Sequence, residues 1–167
     1  MPEARSFADR RFYGRRKGRP LRKGQQHLID TLLPRLAVAL PASGKLDPRS
    51  LFAHKPERVW LEIGFGGGEH LAEQARAHPE VGLIGCEVFL NGIATLLGQV
   101  SALGLSNVRI HPEDARDLLD ALPDGSLDRV FLLFPDPWPK RRHADRRFIQ
   151  PANLDQLARL MRRGAEL

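Results

Sequence analysis

The chain has 167 residues, enough for one domain, and 42% of them are apolar, enough to fill a core. No apolar run reaches the length of a membrane span and no signal-peptide core follows Met1, so neither a membrane nor a secreted protein is expected. Cys86 is the only cysteine, which excludes an internal disulfide and a cysteine-based zinc site. The six histidines are scattered, no metal is expected, and the setting reads as reducing and cytoplasmic.

The formal charge of +6 is unevenly spread. Residues 1–24 carry Arg5, Arg10, Arg11, Arg15, Arg16, Lys17, Arg19, Arg22 and Lys23 against Glu3 and Asp9, a local charge of +7, which leaves the rest at −1. A near-neutral body with a flexible basic arm suits a polyanionic partner, because Lys and Arg on phosphates release counterions. A solubilising tail or an Arg-rich targeting peptide has the same composition. Phe7, Phe12 and Tyr13 among the charges favour RNA, whose bases stack on such rings.

Next comes a helix-and-linker region, residues 25–57. Leu28, Ile29, Leu32, Leu33 and Leu36 recur at helical spacing, which predicts an amphipathic helix from Gln25 to Leu40, kinked or shortened by Pro34. Pro41–Pro48 is a linker by composition. Strand and helix then alternate through residues 58–167. The predicted elements are strands Val59–Ile63, Val81–Cys86, Val108–His111 and Asp128–Phe134. Helices are predicted over Glu69–Ala77, Leu90–Leu103, Ala115–Leu122 and about Asn153–Arg163, the last capped by Gly164. Continuously apolar strands such as LIGC and VFLLF suit a parallel sheet buried on both faces. The fold class is α/β, doubly wound.

Between the first strand and its helix lies Gly64-Phe65-Gly66-Gly67-Gly68. Glycines here let the backbone turn tightly and let a ligand approach main-chain N–H groups. The Rossmann dinucleotide pattern wants a further glycine where Glu69 stands, and an acid at a helix N-terminus repels a pyrophosphate. Glu62 adds negative charge before the turn. These features fit S-adenosylmethionine, which carries a sulfonium and an ammonium and no phosphate, better than NAD. Glu87 ends the second strand nineteen residues after Gly68, where an acid can accept ribose hydroxyls. Asp114, past the third strand, is placed for an adenine amino group, with Glu113 as its rival. The three acids follow successive strands, on the sheet edge where open α/β folds bind ligands. After the fourth strand comes Phe134-Pro135-Asp136-Pro137-Trp138-Pro139-Lys140, stiffened by prolines on both sides of Asp136. Rigid positioning is what methyl transfer needs, since orientation can supply about 7–11 kcal/mol of a barrier. Lys140, Arg141, Arg142, His143, Arg146 and Arg147 follow at once, a segment suited to a phosphate backbone.

Taken together, GRRKGRPLRKGQ (residues 14–25), LEIGFGGGEHL (61–71), GCEVF (85–89) and FPDPWPKRRHADRR (134–147) closely resemble the bacterial tRNA (guanine-46-N7)-methyltransferase family over nearly the whole chain apart from residues 41–55. The resemblance implies a Rossmann-like methyltransferase sheet, S-adenosyl-L-methionine as cofactor and tRNA as partner, with no membrane and no obligatory protein partner, as a monomer or homodimer. It assigns Glu62, Glu87, Asp114 and Asp136 to the cofactor beside Gly64, Gly66 and Gly68, and makes Asp136 the candidate catalytic residue. Lys140 matches a substrate-contacting lysine, and Arg142, His143, Arg146 and Arg147 lie in the stretch that touches RNA. The family's late Asp and Thr-x-x-Glu segment has no counterpart before Leu167. The sheet is therefore expected to end after its fourth strand and helix, and the chain to turn over little. The alternatives are a methyltransferase for another nucleic acid and a non-catalytic tRNA-binding fragment.

Overall fold

A computed structural model describes residues 14–133 and 139–167. The first thirteen residues of the basic arm and the segment 134–138, with Asp136 and Trp138, lie outside the described residues.

Five parallel strands form one sheet in the order β3-β2-β1-β4-β5. They are β1 (Val59–Ile63), β2 (Gly82–Cys86), β3 (Val108–His111), β4 (Leu127–Phe131) and β5 (Met161–Glu166). Every residue of β1 and β2 is buried, as their apolar runs require. Helices α3 (Glu69–Ala77), α4 (Leu90–Leu103), α5 (Ala115–Ala121) and α6 (Pro151–Leu160) supply the crossovers. Val59, Leu61, Ile63, Ile84, Cys86 and Val130 enter one core with α5 and α6, and Trp60, Leu83, Val108 and Ile110 enter the other with α3 and α4. The chain winds from β1 out to β3, then returns to lay β4 on the opposite side of β1. That reversal makes the C-terminal ends of β1 and β4 the switch point, where such sheets open a crevice.

The N-terminal helical region is broken where Pro34 stands. Helix α1 (Lys23–Thr31) stops, and α2 (Leu33–Leu36) restarts with Pro34 in its first turn, where a missing N–H costs nothing. Val38 N–H then donates to the Ile110 carbonyl at 2.8 Å, beside a parallel bridge from Ala37 to Ile110, which covers the outer edge of β3. Phe52, within the stretch read as a helix-and-linker region, is 1% exposed and fills the space that a side chain at Gly82 would need.

The C-terminal expectation is corrected. The last helix ends at Leu160, and Met161–Glu166 forms a fifth strand, so the sheet does not stop after the fourth strand and its helix. Gly164 sits inside this strand at φ +87° and caps no helix. Pairing starts at Leu127 with Met161 and shifts register before Arg129 meets Glu166, and Arg162 Nε lies 3.0 Å from Asp128 Oδ1. Tertiary pairing here overrides the helical pattern of the segment. The strand is polar and mostly exposed, the composition of an edge and unlike the apolar template for a buried parallel strand.

Candidate active site

Glycines at positive φ carry the chain from β1 into α3: Gly64 at +70°, Gly66 at +59° and Gly68 at +79°. That region is costly for any residue with a Cβ. Among the described residues no atom lies within 4 Å of where a side chain at Gly64 or Gly66 would begin, so none of them fills the space beside the turn. From below, Gly92 of α4 supports it so closely that a Cβ there would stand 2.1 Å from the Gly66 carbonyl oxygen. Glu69 opens α3, and its carboxylate folds back over Gly67.

Three acids meet around this turn. Glu62, one residue before the end of β1, is 3% exposed, and its Oε2 lies 2.8 Å from His70 Nδ1. Burial pushes its pKa up, the His70 hydrogen bond and charge pull it back, and Glu69 raises it further. Glu87, just past β2, accepts from Gly66 N–H at 2.8 Å through Oε2 and from Val88 and Phe89 N–H through Oε1 at 2.8 and 3.0 Å. A carboxylate offers about four acceptor positions, so Glu87 braces the glycine turn and retains room for a ligand hydroxyl.

Beyond β3 the two rival acids separate. Asp114 caps α5, accepting from Arg116 N–H at 2.9 Å, and both its oxygens are engaged by the Arg116 guanidinium. Glu113 projects outward and pairs with Arg16 at 3.0 Å. His111, 3% exposed, holds this corner through Nε2, 3.0 Å from the Asp114 carbonyl oxygen, and its burial depresses its pKa. Cys86 lies close to both Asp114 and Glu87. Burial first, then those two charges, push its thiol pKa far above the usual range, so it is no nucleophile at neutral pH.

The described part of the basic arm reaches the same rim. Arg16 carbonyl accepts from Leu90 N–H at 2.9 Å. Gly18 N–H donates to Asn91 Oδ1 and Asn91 Nδ2 donates to the Arg19 carbonyl, each at 2.7 Å. The second basic segment follows residues 134–138 in the chain. Arg141–Arg146 form a short 3-10 turn, with Lys140, Arg141 and Arg142 exposed and His143, Arg146 and Arg147 half-buried. Gln150 Nε2 ties this turn down by donating to the carbonyls of Ala144, Asp145 and Arg147.

The structure thus brings Glu62, Gly64, Gly66 and Glu87 together around the turn and sets Asp114 beyond it, while Gly68 packs against Leu96 of α4. Lys140, Arg142, His143, Arg146 and Arg147 lie on the turn that follows residues 134–138, and Asp136 itself lies outside the described residues. His70 and Asn91 were not singled out from sequence. His70 carries a faint signal, since it stands one residue after Glu69 on the first turn of α3. The Asn91 contacts span more than seventy residues, and no local pattern reveals them. Among the described residues no group of three or more His, Cys, Asp or Glu is placed to hold a metal, and no helix is long and apolar enough to cross a membrane.

A parallel sheet with an open glycine turn and acids at its switch point defines an α/β enzyme of the class that binds nucleoside cofactors. The Methyltransf_4 family of methyltransferases matches residues 56–167. A tRNA (guanine-N(7)-)-methyltransferase of Rhodospirillum rubrum is 59% identical, with 100% of this chain and 66% of that protein covered. The enzyme of that name from Paramagnetospirillum magneticum is 62% identical, covering 94% of this chain and 67% of its own length. The chain belongs to the tRNA (guanine-N(7)-)-methyltransferase family, and it spans about two-thirds of the length of these curated relatives. Among solved structures, the 16S rRNA (adenine(1408)-N(1))-methyltransferase of Catenulisporales acidiphilia has the same fold, with a TM-score of 0.52 and 22% identity over 77% of this chain and 66% of that one. The 16S rRNA methyltransferase KamB likewise matches with a TM-score of 0.51 and 21% identity over 71% of this chain and 52% of its own.

Proposed function

We propose that this chain is the cofactor-binding part of an enzyme that transfers methyl from S-adenosylmethionine to N7 of guanine 46 in the variable loop of tRNA. The observation that carries this reading is an open glycine turn flanked by Glu62 and Glu87, with basic segments on either side of the crevice. The donor set fits the cofactor. Glu62 would face an ammonium, the remaining acceptor capacity of Glu87 would take a ribose hydroxyl, and Asp114 or Glu113 would meet the adenine amino group. When bound, the cofactor supplies an electrophilic methyl on a sulfonium.

Guanine N7 has an in-plane lone pair and no proton in the neutral base, so the chain needs no general base there. Its residues have to orient the base and exclude water. Asp136 would hold the guanine through its N–H groups and offset the charge that develops on the methylated ring, and Lys140 would anchor a phosphate or base oxygen. In a version extended to the relatives' full length, labelled methyl from S-adenosylmethionine is expected in tRNA at a site cut by chemistry selective for N7-methylguanine, and Asp136→Ala should abolish it. Label confined to another base would refute the N7 assignment.

The activity for which the relatives are named and the two basic segments support tRNA as partner. Binding should weaken steeply with salt, each phosphate contact contributing about 0.7–0.9 to the logarithmic slope. Replacing Arg146 and Arg147 with Ala should flatten that slope in a filter-binding titration. A slope equal to wild type would make the turn a solvated surface.

A further inference from the structure

His70, an ionisable side chain beside the glycine turn, has no part in the proposed function. We propose that His70 is a positioning residue, which donates Nδ1–H to Glu62 and so keeps that buried carboxylate ionised and oriented for the cationic end of the cofactor. The inference rests on the S-adenosylmethionine reading above.

Glu62 is 3% exposed, a setting in which an ionised carboxylate needs a donor. Its surroundings supply one. Its register neighbours are Gly85 on β2 and Phe131 on β4, and neither carries charge. Arg129, one pleat back on β4, stands over the Trp60 and Phe131 rings and pairs with Glu166. On α3, Glu69 opposes ionisation of Glu62 and His70 favours it. Among the described residues only His70 hydrogen-bonds to the Glu62 carboxylate, at 2.8 Å. Against an ionised carboxylate the ring nitrogen must be the donor.

The imidazole is also fixed from its other side. Phe131 packs against it nearly edge-on, with centroids 4.7 Å apart and planes at 71°. Phe131 ends β4, three residues before the segment 134–138 begins. His70 therefore joins Glu62, near the end of β1, to the strand that precedes residues 134–138.

The sign of the pH effect follows from the pair. Affinity for a cation is present while Glu62 is ionised and is lost as pH falls through its pKa. Burial already raises that pKa, and removing His70 takes away the group that lowers it. The loss should then set in at higher pH. The test is calorimetry of S-adenosylhomocysteine with wild type, His70→Ala and His70→Asn at pH 6 and pH 8, together with a carbon-13 carboxyl titration of Glu62 without ligand. His70→Ala should bind about tenfold or more weakly at pH 6, the scale of a lost hydrogen bond to a charged group. Its deficit should shrink at pH 8. His70→Asn, which keeps an amide donor close to the Nδ1 position, should stay near wild type, and only the Ala variant should show a higher Glu62 midpoint. An equal deficit at both pH values with an unmoved midpoint, or no deficit, would overturn the role of His70 while leaving the cofactor reading intact. Wild type that fails to bind S-adenosylhomocysteine would overturn both.

Discussion

Glu87→Ala should weaken S-adenosylhomocysteine binding by about 1.5–3 kcal/mol, the cost of losing hydrogen bonds to a charged acceptor. Two losses are combined in that figure. A ligand hydroxyl loses its acceptor, and the N–H groups of Gly66, Val88 and Phe89 lose the carboxylate that now satisfies them. Glu87→Gln separates the two, because its amide oxygen can still accept while its NH2 group cannot. The Gln variant should therefore fall between wild type and Ala in an isothermal titration. An Ala variant with wild-type affinity would remove Glu87 from the cofactor site.

Gly92→Ala should be the most disruptive glycine-to-alanine change among the described residues. Helix propensity argues the other way, since Ala is favoured over Gly inside a helix by about 1 kcal/mol. Here packing decides. The added methyl would stand 2.1 Å from the Gly66 carbonyl oxygen and 2.9 Å from its carbon, and both are backbone atoms held by the glycine turn. Overpacking against a rigid neighbour costs about 1–3 kcal/mol and sometimes more. For a domain of this size that lowers the melting temperature by roughly 2–12 °C, and the displaced turn should lose its ligand as well. Gly98→Ala on the same helix is the control. Among the described residues nothing outside the helix's own neighbouring turns stands within 4 Å of its new methyl, so propensity decides and thermal stability should be kept or rise slightly. Equal melting temperatures for the two variants would show that α4 does not support the turn as described.

The sequence was informative where chemistry and local pattern coincide. The apolar runs of β1 and β2 are bounded as their burial requires, and the ranges of α3 and α4 agree with the expected ones. Glu62 and Glu87 reach the crevice because both sit at strand ends, and strand ends can be read from a period and a glycine. The acid after β3 was harder. Glu113 and Asp114 are adjacent, and only the third dimension shows Asp114 engaged by Arg116 while Glu113 meets Arg16. The fifth strand was hidden for a related reason. Met161–Glu166 carries two arginines and a glutamate, and its strand character comes from pairing with β4 more than from its own side chains. His70 and Asn91 act through partners that no spacing rule joins to them.

Cofactor choice bears most directly on the functional assignment, because the crevice offers carboxylates where a dinucleotide would need a cradle for its phosphates. Parallel calorimetric titrations of the chain with S-adenosylhomocysteine and with NAD decide it. Saturable binding of S-adenosylhomocysteine with no detectable heat from NAD is the outcome these carboxylates predict. NAD binding as tightly as S-adenosylhomocysteine would contradict it.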